Sequence, residues 1–217
     1  ALVNTLIITA LSLLIAIPFG VFTAIYLVEY AKKGSKIVKL IRITAETLSG
    51  IPSIIYGLFG LLFFCTALKW GYCLLAGALT LVIMILPLII RTSEEALLSV
   101  PDAYREASFG LGAGKLRTIF HVVLPTAIPG ILSGVILATG RIVGETAALL
   151  YTAGSVAKIP NLMGSGRTLA VHMYVLSSEG LYMDQAYATA VVLLVFVLAL
   201  NGISNLLAKQ LTKGRNA

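Results

Sequence analysis

Five apolar runs, each close to or beyond the length of a bilayer crossing, constrain this chain more than any other feature. A membrane helix needs about 20 mostly apolar residues. Leu2–Val28, Ile51–Leu68, Tyr72–Ile90, Gly130–Leu150 and Ala186–Leu207 are the candidate spans, with Pro18 a kink position in the first and Pro87 near the end of the third. Hydrophobic residues make up 59% of the 217 and charged residues 12%, against roughly 45–50% and 25% in soluble domains. A soluble chain of this composition would leave large apolar areas facing water. A disordered chain, a nucleic-acid binder and a cytosolic enzyme are therefore excluded. The expected fold class is all-α, a polytopic membrane helix bundle forming one domain over residues 1–217. Leu2–Val28 is no secretory signal peptide: it is too long, lacks a basic flank and is followed by four more runs.

Charge assigns the sides. Lys32, Lys33, Lys36, Lys39, Arg42, Arg91, Arg105, Lys115, Arg117, Lys209, Lys213 and Arg215 fall on one side if the spans alternate, twelve of the 16 basic residues. The other side holds Lys69, Lys158 and Arg167, and Arg141 lies within a span. Basic loops stay in the cytoplasm, so the chain is expected to begin outside and end inside. An outside start implies that an earlier helix precedes Ala1. The basic stretch 29–50 touches anionic lipid headgroups on this reading. It has no interleaved aromatic platform of the kind single-strand nucleic-acid binders use.

Catalytic and metal chemistry find no foothold. Cys65 and Cys73 make neither a disulfide framework nor a zinc site and read as buried free thiols. His121 and His172 fall on opposite sides and cannot share a metal. Gly164-Ser165-Gly166-Arg167 could offer backbone N–H groups to an anion, but reads better as a flexible outer turn. No GxxxxGK[ST] loop occurs, so the chain is not itself an ATP hydrolase and needs no cofactor of its own.

The inside loop 91–129 mixes Glu94, Glu95, Asp102 and Glu106 with Arg91, Arg105, Lys115 and Arg117. Pro101-Asp102 is a helix start, Gly110, Gly112 and Gly114 stop that helix, and a second helical stretch, Lys115–Leu124, is expected to end before Pro125. Such an apolar and charged knob suits docking of a cytoplasmic subunit. Its spacing, Glu106-Ala107-Ser108, then Gly112, Val122 and Leu124-Pro125, resembles the EAA signature of ABC importer permeases. Ser108 replaces the family's Ala, and Val122 its usual Ile. The resemblance implies that Glu106–Gly112 is a coupling helix seated in a cleft of a cytoplasmic ABC ATPase dimer, which binds the ATP. Gly112 would permit the turn, Ala107 and Ser108 close docking, Glu106 pairing with a cation or a helix cap, and Leu124-Pro125 the return to the bilayer.

Gly130–Leu150, taken as one helix of about 31 Å, separates a branched face from a small face. The small face carries Gly130, Gly134, Ala138, Gly140 and Gly144, including two GxxxG pairs suited to close helix approach. Arg141 and Glu145 lie on it, Arg141 near mid-bilayer, where a lone charge costs about 2.5–3.5 kcal/mol or more. Glu145 is expected to offset that charge from one turn away. The pair is either a structural lock or an anion site in which Arg141 offers a planar fork to an oxyanion. Arg141-Ile142-Val143-Gly144-Glu145-Thr146-Ala147 resembles a run in phosphate-importer permeases of the PstA type. That resemblance implies a type I ABC importer permease fold, with six spans in complete members. It also implies a bacterial or archaeal inner-membrane location, a second homologous permease subunit and a periplasmic or extracellular phosphate-binding protein. Sulfate, molybdate, phosphonate or an amino acid are the alternative cargoes, and a membrane scaffold the alternative class. The outer connection 151–185, with its apolar stretch Leu169–Leu176, is expected to form a surface element or half-inserted helix.

Overall fold

The computed structural model describes residues 1–32 and 34–213, with the side chains of Asn205 and residues 207–213 left aside. Lys33 and Arg215, and the side chains of Lys209 and Lys213, lie outside the described residues. Among those described there is no strand, as expected where every backbone group must be satisfied within its own segment. Four helices are long and apolar enough to cross a membrane, and a fifth candidate is a bent pair.

The first span runs as α1, Leu2–Ile25, and continues through a π-helical turn, Tyr26–Tyr30. It packs along α4, Leu74–Leu98. Close approach is built in: a Cβ at Gly20 would lie 2.6 Å from Cγ2 of Ile89, and buried Ser12 donates to Ala78 O at 3.1 Å. α4 is the bundle's central post, 61% of its most apolar stretch being buried. It begins at Cys73, whose Sγ accepts the Ala76 N–H at 3.4 Å. It runs past the expected end at Ile90, because Pro87 is packed inside the bundle and Arg91–Leu98 extends the helix, with an Arg91–Glu95 pair one turn apart.

Ile51–Leu68 is not a span by itself: it holds a short limb that passes as a candidate crossing only together with the helix before it. α2, Lys36–Ser49, and the limb Ser53–Ala67 meet at 101°. The limb consists of α3, Ser53–Gly60, and a π-helical turn, Leu61–Ala67. Gly50-Ile51-Pro52 forms the corner, since a proline disfavours helix in the residue before it. α2 is amphipathic: Val38 is buried and Ile41, Ala45 and Leu48 partly so, whereas Lys36, Lys39, Arg42 and Glu46 are exposed. Arg42 Nε reaches Glu94 Oε1 of α4 at 2.7 Å.

After α5, Asp102–Gly110, the chain turns at Gly112, whose φ of +80° favours glycine. α6, Lys115–Thr118, a π-helical turn, Ile119–Val123, and α7, Leu124–Gly144, then form one 30-residue rod. The expected stop before Pro125 does not occur. Pro125 sits in the first turn of α7, where a missing N–H costs least. Nor is Gly130–Leu150 one helix: α7 ends at Gly144, and α8, Ala147–Thr152, restarts after a break. Of the two GxxxG pairs, Gly130 and Gly134 abut Ala96 and Thr92 of α4, while Gly140 and Gly144 have no neighbour within 4 Å.

The connection 151–185 holds α9, Leu169–Glu179, stopped by Gly180 at φ +69°, and the last candidate span, Met183–Ser204, lies within α10, Met183–Lys213. The turn Gly164–Arg167 is pinned rather than free. The N–H groups of Gly164, Gly166 and Arg167 donate to Asn161, Ala153 and Val156 carbonyls, so they are not available to an anion. Asn4 of α1 donates to Lys158 O and Arg167 O at 2.8 and 3.0 Å, which fastens this connection to the first span. Cys65 and Cys73 are buried free thiols.

The glycine contacts predict a contrast. Gly134→Val should destabilise the purified protein by about 1–3 kcal/mol through overlap with Thr92. Gly140→Ala should stay within about 0.5 kcal/mol of the parent. Thermal unfolding in detergent measures both, and equal stability of the two variants would contradict this packing.

Candidate functional site

α4 and α7 run antiparallel, and their register sets the depth of Arg141. Gly130 meets Ala96 and Gly134 meets Thr92, so the same register carries Arg141 level with Ile85, near the middle of α4. Ile85, Ala138 and Ile142 share one buried cluster at that level. Arg141 lines a groove of about 590 Å³ with Leu88 of α4, Ser133, Ile136, Leu137 and Gly140 of α7, and Asn201 of α10. Arg141 is the one charged member of that lining, and Asn201 brings an amide from a different span. Gly140 lines the same groove, and a Cβ placed there would meet nothing within 4 Å.

Glu145 does not serve as the partner expected from helical spacing. The backbone turns extended there, at φ −72° and ψ 125°. Its carboxylate is buried, and Oε1 accepts the Ala148 N–H at 3.1 Å. Among the described residues no ion pair joins Arg141 to Glu145. The reason lies in packing. A Cβ at Gly57 would lie 2.8 Å from Ala148 Cα, and Gly60 abuts Thr80 and Thr152, so α3 and α8 are pressed backbone to backbone. A straight continuation of α7 is given up for that contact. Non-helical backbone at membrane depth requires partners within the protein, and Glu145 supplies one to the restarted helix. Tyr56 of α3 is buried, donates to Leu48 O at 2.7 Å, and lies within electrostatic reach of Arg141.

At the basic end the signature residues separate into two groups. Glu106 and Ala107 are exposed on α5. Ser108 Oγ and Thr118 Oγ1 are 2.8 Å apart, and Ala113 N donates to Ser108 O at 3.1 Å across the Gly112 turn. Glu106, Ala107, Ser108 and Gly112 thus share one tip. Leu124 and Pro125 lie behind it at the start of α7, Leu124 packing against buried Leu97, Val100, Ile119 and Val123. Around the tip large apolar side chains face outward: Tyr104, Phe109, Leu116 at 64% exposure and Leu111 at 90%. Lys115 Nζ stands 4.8 Å from the Tyr30 ring centroid, a cation–π contact joining the α6–α7 rod to the end of the first span.

Asn201 and Tyr56 were not among the residues singled out from the sequence. An Asn inside an apolar run is itself a signal of a polar path. Tyr56 carried none, since only the bent α2–α3 pair brings it near Arg141. Among the described residues no group of three or more His, Cys, Asp or Glu could hold a metal ion.

A family model described as binding-protein-dependent transport system inner membrane component matches residues 16–215. The probable ABC transporter permease protein YqgI of Bacillus subtilis (strain 168) is 38% identical over 97% of this chain and 79% of its own length. The phosphate transport system permease protein PstA 1 of Mycobacterium tuberculosis (strain ATCC 25618 / H37Rv) is 41% identical over 71% of this chain and 49% of its own. The PstA homolog of Mycoplasma pneumoniae is 38% identical over 97% of this chain and 34% of its own. The chain therefore spans about half or less of these two PstA-named relatives. The fold is shared with the inward-facing MetNI methionine ABC transporter, at a TM-score of 0.75 and 21% identity over 96% of this chain and 91% of that one. It is also shared with a bacterial ABC transporter that imports alginate, at 0.74 and 18% identity over 97% and 78%.

The geometry around Glu145 makes a prediction of its own. Glu145→Ala should lose about 1–2 kcal/mol of stability, as for a removed helix cap, while Glu145→Gln keeps the acceptor and most of the stability. Arg141→Gln and Glu145→Gln should combine additively within about 0.5 kcal/mol. A double-mutant cycle on unfolding in detergent checks this, and a large coupling energy would restore the ion pair.

Proposed function

The chain belongs to the family of binding-protein-dependent transport system inner membrane components, and on that premise we propose that it is a PstA-like permease subunit for inorganic phosphate. The observation that carries this reading is Arg141, level with the middle of α4, in a groove it shares with Asn201. A guanidinium offers phosphate a planar, bidentate donor fork, and its charge-assisted hydrogen bonds are roughly twice as strong as neutral ones. The Asn201 amide adds both a donor and an acceptor, which suits a partly protonated oxyanion. PstA-named relatives and the Arg141–Ala147 run support phosphate over other cargoes.

In this account the basic end and the C-terminus face the cytoplasm. The exposed knob of Tyr104, Glu106, Ala107, Phe109 and Leu111, turned by Gly112 and braced by Ser108, seats in a cytoplasmic ABC ATPase dimer. Leu124 and Pro125 connect that knob to the rod bearing Arg141. A second, homologous permease closes the open side of the groove, and an extracytoplasmic phosphate-binding protein delivers the anion to the opposite end. ATP is bound and hydrolysed by the partner subunit. This chain contributes the path, and alternating access follows when the two states of the ATPase favour different arrangements of the permease pair. Glu145 shapes the path by holding the α7–α8 break.

The test is labelled phosphate uptake by cells or vesicles bearing the complete transporter. Arg141→Gln should lower uptake by roughly 10–100-fold, the size of a lost hydrogen-bonding charge, with assembly intact. Excess sulfate or molybdate should compete poorly with the parent protein. Normal uptake by Arg141→Gln, or uptake abolished by sulfate as readily as by phosphate, would overturn the reading.

A further inference from the structure

α5 buries no residue of its own, so apolar packing does not hold it in place. It is attached through the two partly buried polar side chains on its inner face, Arg105 and Ser108. Ser108 reaches the α6–α7 rod through Thr118. Arg105 reaches the rest of the bundle. Its Nε and Nη2 donate to Glu29 Oε1 at 3.0 and 2.9 Å. Nη2 also donates to Leu97 O at 3.0 Å, and Nη1 to Val100 O at 2.8 Å and Asp102 Oδ1 at 3.2 Å. A guanidinium has five N–H donors, and all five are engaged. The Arg105 and Glu29 side chains are only 14% and 9% exposed.

These partners belong to three separate elements. Glu29 lies in the π-helical turn that ends the first span. Leu97 O is a carbonyl in the last turn of α4, the end of a helix that lacks internal donors and attracts a cation, and Val100 O lies just beyond that end. Asp102 opens α5 itself. Arg105 therefore ties the exposed helix to α1 and α4, the two helices whose packing forms the bundle's main seam. A lysine could not replace it, because its three donors radiate from one mobile ammonium and cannot reach a carboxylate and two carbonyls in a fixed plane. The outward side chains Tyr104, Glu106 and Phe109 are left free by this arrangement.

We propose that Arg105 is a positioning residue for transport: the strut through which displacement of α5 is passed to α1 and α4. The inference rests on the reading of α5 as the ATPase-docking helix and adds the side chain that transmits the motion. Docking and transmission are then separate properties of one helix. The exposed face grips the ATPase, and Arg105 conveys what the grip does. Without Arg105, α5 can still be gripped and moved, but its movement is no longer imposed on the first span and α4.

The experiment uses the complete complex, with its ATPase, partner permease and binding protein, in proteoliposomes. Phosphate entry and ATP hydrolysis are measured in the same vesicles for the parent, Arg105→Lys and Glu29→Gln. Spin labels at exposed Ala103 of α5 and exposed Phe22 of α1 report their separation on addition of ATP. Both variants should co-purify with the ATPase and hydrolyse ATP, while phosphate moved per ATP falls by about tenfold for Arg105→Lys and less for Glu29→Gln. The label separation, steady through the parent's cycle, should change in Arg105→Lys as α5 moves alone. A parental transport ratio in Arg105→Lys, or loss of ATPase co-purification in both variants, overturns the strut. If Arg105→Lys does not assemble, a parental ratio in Glu29→Gln overturns it alone. A parent complex that docks and hydrolyses without carrying phosphate refutes the cargo, and the label separations then decide the strut by themselves.

Discussion

Hydrocarbon offers no hydrogen bonds, so each backbone amide and carbonyl at membrane depth must find its partner within the chain. The long helices of this fold are the common answer to that constraint. The break after Gly144 departs from that answer, and two of its amides, those of Glu145 and Ala148, find partners within the chain. Glu145 turns its carboxylate to the Ala148 N–H, and α8 restarts against α3 with the backbones in contact at Gly57. The break in turn sets what surrounds Arg141. With Glu145 engaged elsewhere, the guanidinium is left beside Gly140 and Asn201 in a groove between three spans. Its charge at that depth costs about 2.5–3.5 kcal/mol or more, and the present fold places no carboxylate against it among the described residues. In the proposed function a visiting anion compensates that charge.

The same constraint explains the contrast between the two ends of the α6–α7 rod. At the basic end the long helices are interrupted between Leu98 and Lys115, and the short helix in that interval, α5, buries no residue. Its position is then set by polar contacts, Arg105 to Glu29 and to the Leu97 and Val100 carbonyls, Ser108 to Thr118. Deeper in, small residues do the positioning: Gly130 and Gly134 seat the rod on α4, and Gly20 seats α1 there. The proposed anion path and the proposed docking knob thus lie on one rod, which Gly130 and Gly134 press against α4.

Much of this was legible in the residues, and the failures have common causes. The all-helical fold and its long apolar helices follow from hydropathy and composition alone, since both are sums over many residues. Helix ends are less legible, because one residue type serves several roles. Pro52 does end a helix, but Pro87 is held inside α4 and Pro125 follows a π-helical turn that lets the rod continue. Arg91 and Glu95 looked like loop because they are charged, yet they pair along α4. The signature residues Glu106 to Gly112 were readable because their spacing is distinctive, and the structure brings them to one tip. Arg105, their neighbour, reads in sequence only as one more basic loop residue, because its contact with Glu29 spans 76 positions. The Arg141–Glu145 pairing failed for a similar reason. A helical projection assumes one continuous helix, and the break is imposed by α3, which that projection does not contain.

The account stands or falls on an anion at Arg141. Arsenate, the heavier analogue of phosphate, can be located by its anomalous scattering in crystals of the complete transporter. The account predicts an arsenic peak in the groove between α4, α7 and α10, with an oxygen about 2.7–2.9 Å from the Arg141 guanidinium. Arsenate bound elsewhere along the path, with the Arg141 guanidinium turned to the acyl chains or locked to a carboxylate, would contradict it.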